Sequence, residues 1–312
     1  MINKQYIEAF YDYFDEIAEI LFNSYQKSYL EAMNEAFNFL LDDSLEDNYS
    51  DEDIAEFYKK KEKIIQIEFS GEDVRKAVQI GLLKGYKHTY SSNALITPDT
   101  IGIFMSYLVK KLYANKVLET VLDPLIGTGN LVYTIGNHID QKIKVFGVDN
   151  DIIKCNLARN LGDLINTENE IFFQDTLKYY DNGFDLIVMD MPILEQKEPY
   201  LPYQVINHHL VSLKDDGYLL AVIDNDFFEQ VGSDVFRKEI SEVGHIFGLI
   251  KLPDSMFKAN PKSILIIRKK GEKEIEIKDF LLVDLPSFND MENFNNTVNQ
   301  IDLWFSEREE IL

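Results

Sequence analysis

Cysteine is nearly absent from this sequence. A single cysteine, Cys155, stands among 312 residues, so a disulfide framework and a cysteine metal cluster are both excluded. No apolar run reaches the roughly 18 residues that a membrane-spanning helix needs, and the N-terminal residues lack a signal-peptide pattern. We therefore expect a cytoplasmic protein without a membrane span, in which Cys155 is a small buried apolar residue.

Basic residues are scarce as well. The chain has 31 Lys and Arg against 54 Asp and Glu, a net charge of −23, and residues 1–60 alone hold 4 basic and 15 acidic side chains. Nucleic acid binding usually relies on cations that displace counterions from phosphates. Nucleic acid is therefore disfavoured as a partner unless a local basic patch or a basic partner protein supplies the contact. The acidic N-terminal segment is either a solvated surface over an apolar stripe or a docking surface for a basic partner protein.

The chain divides into two regions by pattern. Residues 1–90 predict an acidic helical N-terminal domain, because apolar residues recur there at spacings of three and four. In residues 91–312 short apolar strands alternate with helices, which is typical of a parallel sheet with helices on both faces. The last two strands, at 246–252 and 263–268, have no helix between them. We therefore predict an α/β fold with a Rossmann-like, seven-stranded, mostly parallel sheet and one antiparallel edge strand.

A glycine turn follows the first predicted strand. The segment Asp123-Pro124-Leu125-Ile126-Gly127-Thr128-Gly129-Asn130-Leu131 leads from a strand into a helix, a setting in which glycines let the backbone approach a nucleotide-like ligand. The third glycine of the dinucleotide pattern would fall at Val132, and the Gly-Lys-Ser/Thr of a phosphate loop is missing. The carboxylate of Asp123 would repel a pyrophosphate but accept hydrogen bonds from a cationic amino group. Alone, the turn is compatible with several nucleotide ligands.

Acidic residues follow the next three strands too. Asp149 lies about 20 residues beyond the glycines, where an acid accepts hydrogen bonds from two ribose hydroxyls. Asp175 follows the third strand, where it would accept from an adenine amino group, and Asp190 follows the fourth. A single acid at such a place is commonly a helix N-cap. Four in succession are hard to explain by capping alone.

At these residues the sequence resembles class I S-adenosylmethionine-dependent methyltransferases. More narrowly, it looks like the adenine-N6 group typified by the modification subunits of type I restriction systems, and most like small stand-alone bacterial members of that group. The resemblance covers roughly residues 88–270. It rests on Thr97-Pro98, on the turn from Asp123 to Leu131, and on the late hairpin that includes Leu252-Pro253 and Lys262-Ser263-Ile264-Leu265. It implies that residues 91–312 form an S-adenosylmethionine-binding methyltransferase domain.

The resemblance also implies roles for individual residues. S-adenosylmethionine is the expected cofactor, and no metal is expected. The implied catalytic residues are Asp190, Met191 and Pro192, since in the family this acid and the next backbone carbonyl accept hydrogen bonds from the target amino group. The implied cofactor-binding residues are Thr97, Asp123, Pro124, Gly127, Thr128, Gly129, Asn130, Leu131, Asp149, Asn150, Asp175 and Thr176.

Two departures from the family pattern leave the reaction open. The family motif is Asp/Asn-Pro-Pro-aromatic, whereas this chain has Asp190-Met191-Pro192-Ile193, and isoleucine cannot stack on a base drawn out of its helix. Tyr200 and Tyr203 are candidate replacements for that aromatic ring, although nothing in the sequence requires either. The acidic C-terminal residues are also too few for a domain that reads DNA.

The sequence therefore leaves three alternative functions open. The first is a methyltransferase acting on an amino group, with adenine in nucleic acid as its acceptor by resemblance. The second is a cofactor-binding interaction protein with lost or weakened catalysis, and the third is a protein amide methyltransferase. The pair His208-His209 does not predict a metal site, because adjacent helical residues point in different directions.

Overall fold

The first region folds into four helices. The computed structural model describes residues 2–45, 49–88, 96–192, 199–257, 260–271 and 280–308. In the first two of these ranges lie α1 (Lys4–Ser24), α2 (Tyr29–Asp42), α3 (Asp51–Ile64) and α4 (Gly71–His88). Their starts follow local chemistry: the side chain of Asn3 accepts from the backbone of Gln5 at the start of α1, and Ser28 forms a capping box with Glu31 at the start of α2.

The remaining helices and strands alternate up to β5, except that β3 leads to β4 through a short 3-10 turn at Thr176–Lys178. They are α5 (Asp99–Leu112), β1 (Thr120–Asp123), α6 (Asn130–His138), β2 (Lys144–Asp149), α7 (Ile152–Leu164), β3 (Asn169–Phe173), β4 (Phe184–Asp190), α8 (Leu201–Leu210), β5 (Leu213–Asp224), α9 (Ser233–Val243), β6 (Gly244–Lys251), β7 (Lys262–Lys269), β8 (Leu281–Asp284) and α10 (Met291–Ser306).

The strands form one sheet in the order β3-β2-β1-β4-β5-β7-β6-β8. The Rossmann-like α/β class is confirmed, but the predicted number of seven strands is wrong because β8 adds an eighth, paired parallel with β6. Only four residues long, with Leu281 buried and Leu282 exposed, β8 carries too little pattern to be recognised. The predicted antiparallel strand is β7. It pairs with β5 on one side and with β6 on the other, so the antiparallel strand lies inside the sheet. The edge on this side is β8, which lies beyond β6.

Each face of the sheet carries its own apolar core. Alternation within β4 illustrates this, since Leu186 and Val188 face one core while Ile187 and Met189 face the other. The first core includes the buried side chains of α1, α2 and α4. Helix α2 packs against α7, and α4 packs against both α6 and α7. A boundary near residue 90 falls outside the described residues, so the division into domains 1–90 and 91–312 stays a prediction.

The strand order reverses between β1 and β4. Such a reversal opens a crevice beyond the carboxyl ends of the strands, where ligands of open α/β sheets bind. Asp123 ends β1 and Asp190 ends β4, so both carboxyl groups lie at this crevice. None of the helices in the described ranges combines the length and apolarity needed to cross a membrane.

Candidate active site

The glycine turn between β1 and α6 has the backbone that its sequence predicts. Gly127 and Gly129 adopt φ angles of +53° and +83°, a region that side chains other than glycine disfavour. A Cβ atom on Gly127 would meet no other atom within 4 Å, whereas one on Gly129 would strike the ring of Tyr133. Gly127 therefore presents bare backbone to open space, while Gly129 closes the turn against α6.

The open space beside the turn is a cavity of about 600 Å³. This volume falls within the range of small-molecule sites. Every predicted cofactor residue except Gly129 lines the cavity, and so do all three predicted catalytic residues. The wall also contains residues that the sequence did not single out as cofactor contacts: Leu125, Ile126, Lys154, Gln174 and Leu201.

Asp149 is fixed by backbone donors from the turn after β1 and from the start of the segment after β2. Its Oδ2 accepts from the N–H of Gly127 at 3.1 Å and its Oδ1 from the N–H of Asp151 at 2.9 Å. The N-cap of α7 is Asp151, whose side chain accepts from the backbone N–H groups of Ile153 and Lys154. Burial raises the pKa of Asp149, partly opposed by the charge of Lys154. Since Asp149 is not an N-cap, its place in the cavity wall has no capping explanation.

Asp175 differs from Asp149 because it does cap a helical turn. Its Oδ1 accepts from the N–H of Leu177 at 3.0 Å, and half of its side chain is exposed. The remaining carboxylate surface still lines the cavity. The structure is therefore compatible with the predicted adenine contact but gives Asp175 an independent structural role.

Asp123 is the most deeply buried acid of the site, with 1% of its surface exposed. Burial raises its pKa well above the ordinary range, and the nearby charges of Asp190 and Asp149 raise it further. Its Oδ1 accepts one backbone bond, from Leu125 at 3.1 Å. A cationic group in the cavity would relieve this unfavourable burial of charge.

Asp190 is held by two side chains that lie far away in the sequence. Thr97 Oγ1 donates to Asp190 Oδ2 at 2.8 Å, and Lys262 Nζ donates to Asp190 Oδ1 at 3.2 Å. The same Nζ donates to the backbone carbonyl of Met191 at 3.0 Å. The two acceptors that the family resemblance assigns to the target amino group thus converge on one nitrogen, and that nitrogen belongs to the chain itself.

Helix α4 reaches the cofactor turn from the N-terminal region. Arg75, whose side chain is fully buried, donates to Asn130 Oδ1 at 2.6 Å, and Asn130 in turn donates to the carbonyl of Thr97 at 2.7 Å. Farther along α4, burial raises the pKa of Tyr86 to about 12, and a contact with Thr128 partly opposes the rise. Arg75, Tyr86 and Lys262 are contacts to the site that no local sequence signal revealed, because each is more than 40 residues from its partner.

The aromatic residues proposed as replacements for the missing ring are engaged elsewhere. Tyr200 and Tyr203 are both buried, Tyr203 stacks on Phe236 with ring centroids 4.5 Å apart, and its hydroxyl donates to the carbonyl of Phe227. Neither is free to stack on a base in this arrangement. Ile193 lies outside the described residues.

The two adjacent histidines bond to separate partners, as the helical spacing predicts. His208 Nε2 lies 2.8 Å from the carbonyl of Tyr179, and His209 Nε2 lies 2.8 Å from Thr176 Oγ1. Burial lowers the pKa of His209 to about 3, so its imidazole is neutral at ordinary pH. Through Thr176 it supports the cavity wall.

Sequence comparison decides the family. The protein YtxK of Bacillus subtilis (strain 168) is 32% identical over 97% of this chain and 99% of its own length. The chain belongs to the YtxK-like family. The family model described as the YtxK N-terminal helical domain matches residues 8–86, a range that runs from α1 into α4.

Solved structures place the YtxK-like fold among methyltransferases. A Listeria monocytogenes protein, described as a candidate class I S-adenosylmethionine-dependent methyltransferase, has a TM-score of 0.83 and 28% identity, covering 97% of this chain and all of its own. The methyltransferase subunit of a type I restriction-modification system from Streptococcus thermophilus has a TM-score of 0.59 and 16% identity, covering 92% of this chain and 73% of its own, which shows the shared fold. The resemblance to class I methyltransferases is confirmed. These neighbours imply S-adenosylmethionine as the cofactor.

The residues present fit this cofactor. Gly127 leaves room for close approach, Asp149 lines the cavity as a hydrogen-bond acceptor, and Asp123 supplies a buried carboxyl group that a cationic amino group would satisfy. The individual contacts of these residues with the cofactor stay predictions.

Proposed function

We propose that this protein is an S-adenosylmethionine-dependent methyltransferase whose acceptor is an amino group, with adenine N6 of nucleic acid as the acceptor suggested by the family motifs. One observation carries the proposal. The carboxylate of Asp190 and the carbonyl of Met191 together hold a single amino nitrogen, that of Lys262, at 3.2 and 3.0 Å. An exocyclic amine with two N–H groups needs this pair of converging acceptors.

In this proposal each residue of the site has its own role in methyl transfer. The bound cofactor supplies an activated methyl group. Asp190 and the Met191 carbonyl accept the two N–H groups of the target amine, which turns its lone pair away from both acceptors and toward the cofactor cavity that they line. Thr97 holds the Asp190 carboxylate through the bond to Oδ2. Asp149 would accept from ribose hydroxyls, Asp175 from the adenine amine of the cofactor, and Asp123 from its amino group.

A second candidate is a cofactor-binding interaction protein with weakened catalysis. Two observations favour it: Lys262 engages both proposed acceptors, and Tyr200 and Tyr203 are packed away from the site. The net charge of −23 also opposes contact with nucleic acid. In this case the acidic N-terminal helices would dock a basic partner protein. Methylation of a protein amide is a third candidate, and we place all three activities in the cytoplasm.

Methyl transfer from labelled cofactor tests these functions. The protein is incubated with radiolabelled S-adenosylmethionine and separately with DNA, RNA and a protein extract, and each product is identified by mass spectrometry. We expect label on adenine N6, and we expect Asp190→Ala to abolish it while cofactor binding persists. Cofactor binding without transfer to any fraction would contradict the methyltransferase proposal and favour the interaction protein. Label on glutamine or asparagine side chains would favour the protein amide.

A further inference from the structure

Lys262 has an unusual environment for a lysine. It opens β7 opposite Asp224 at the end of β5, and only 7% of its side chain is exposed. Backbone bonds fix both sides of this position, since Leu252 N donates to the Lys262 carbonyl at 2.9 Å and Asn225 N donates to the Pro261 carbonyl at 2.9 Å. Lysine is rarely buried to this degree without a dedicated partner.

The partners of Lys262 are the two proposed acceptors of the substrate amine. Its Nζ lies 3.2 Å from Asp190 Oδ1 and 3.0 Å from the Met191 carbonyl, while Thr97 occupies the other oxygen of Asp190. A second nitrogen cannot lie between the same two oxygens at the same time. We propose that the Lys262 ammonium is an internal competitor for the amino-acceptor site, so that an external amine reaches Asp190 and Met191 only after Lys262 is displaced. This inference rests on the proposed function.

The competition is unequal for a neutral amine. Hydrogen bonds from a cation to a carboxylate are shorter and stronger than those from a neutral donor. The buried ammonium of Lys262 also neutralises the Asp190 carboxylate, whose side chain is 21% exposed, whereas an adenine amine brings no charge. Lys262 therefore lowers the occupancy of the acceptor site by any neutral amine.

A purely structural role for Lys262 predicts the opposite effect of its removal on amine binding. If Lys262 served only to fix Asp190 and the Met191 loop, its removal would loosen both acceptors and weaken amine binding. If it competes, its removal strengthens amine binding. The sign of the effect separates the two roles.

The test uses Lys262→Met, which keeps most of the length of the side chain and removes its charge, and Lys262→Gln as a second variant. Lys269→Met is the control. Lys269 lies at the other end of the same strand and donates to the backbone carbonyls of Val211 and Leu213, away from the cavity. Two quantities are measured in the full-length protein: the Kd of adenosine at saturating S-adenosylhomocysteine, which fills the cofactor cavity, and the rate of label transfer to adenine-containing oligonucleotides.

We expect both Lys262 variants to bind adenosine at least tenfold more tightly than the wild type and Lys269→Met to match the wild type. If the protein is an active methyltransferase, label transfer rises in parallel. An unchanged or weaker adenosine Kd in both folded Lys262 variants would overturn the competition. Tighter adenosine binding without transfer in any variant would support the competition while contradicting the proposed function, so the two failures are distinguishable.

Discussion

Arg75 Nη1 donates to Asn130 Oδ1 at 2.6 Å, joining helix α4 of the N-terminal region to the first residue of α6. The same guanidinium binds Asp99 and Glu72, so its charge is fully paired in the interior. From Asn130 the connection continues to Thr97 and from Thr97 to Asp190. A chain of hydrogen bonds therefore runs from a buried arginine of the helical region to the proposed catalytic carboxylate.

Replacement of Arg75 by methionine should weaken both folding and cofactor binding. Removing one member of a buried ion pair leaves its partners without compensation and typically costs about 3–5 kcal/mol. We also expect the affinity for S-adenosylmethionine to fall, because Asn130 and Thr97 line the cavity and lose their support. Denaturant unfolding and calorimetry measure the two effects. Arg237→Met, on the exposed face of α9, is the control and should change neither. A folded Arg75→Met protein with unaltered cofactor affinity would show that the connection has no bearing on the site.

Asp123→Asn should stabilise the cofactor-free protein and weaken cofactor binding. The pKa of Asp123 is raised in the folded state by burial, so folding favours its protonated form. Stability is therefore lost as the pH rises from the unfolded pKa of about 3.9 through the folded pKa, with a slope of up to about 1.4 kcal/mol per pH unit. An asparagine side chain does not titrate, so the variant does not lose stability in this way as the pH rises. Its amide oxygen can still accept from the backbone N–H of Leu125.

Two measurements check Asp123→Asn. Unfolding at several pH values should give a stability advantage over the wild type that grows with pH, and calorimetry should give a larger Kd for S-adenosylmethionine. A variant less stable than the wild type at pH 8 would refute the assignment of Asp123 as an unfavourably buried acid.

Asp149→Ala should reduce the affinity for S-adenosylmethionine about tenfold or more. The substitution removes acceptors for the ribose hydroxyls, and a lost buried hydrogen-bond partner costs roughly 1–3 kcal/mol. It also frees the N–H groups of Gly127 and Asp151, which loosens the turn. Calorimetry provides the measurement. Asp151→Ala is the matched control, because Asp151 caps α7 outside the cavity wall and its loss should lower stability more than affinity. Equal effects of the two substitutions on affinity would argue against a ribose contact.

His209→Gln should make the protein less sensitive to acid. Burial lowers the folded pKa of His209 to about 3, whereas an unfolded histidine titrates near about 6.5. The neutral His209 side chain contributes its full stabilisation above the pKa of the unfolded state. This stabilisation is lost as the pH falls toward the pKa of the folded state. Glutamine does not titrate and can still bond to Thr176. Unfolding between pH 7 and pH 4 should show a flatter profile for His209→Gln than for the wild type. Identical profiles for His209→Gln and the wild type would refute this role.

The sequence alone determined the elements that are built from neighbouring residues. The alternation of strand and helix, the turn at Gly127 and Gly129, and the acids at the ends of successive strands follow from local patterns. Parallel strands bring their carboxyl ends to one edge, so the sequence was enough to expect Asp123, Asp149 and Asp190 at one crevice. The cofactor prediction rests on the same local features.

Tertiary structure decided what depends on residues distant in the chain. The eighth strand is recognisable only by its pairing with β6, and the position of β7 between β5 and β6 follows from sheet assembly rather than from any pattern within the strand. Arg75 and Lys262 reach the site from 55 and 72 residues away from their partners, a distance over which sequence carries no pairing signal. The glycine turn thus encodes the cofactor cavity locally, whereas the occupant of the amino-acceptor site is set by long-range packing, because only the folded sheet brings Lys262 to Asp190.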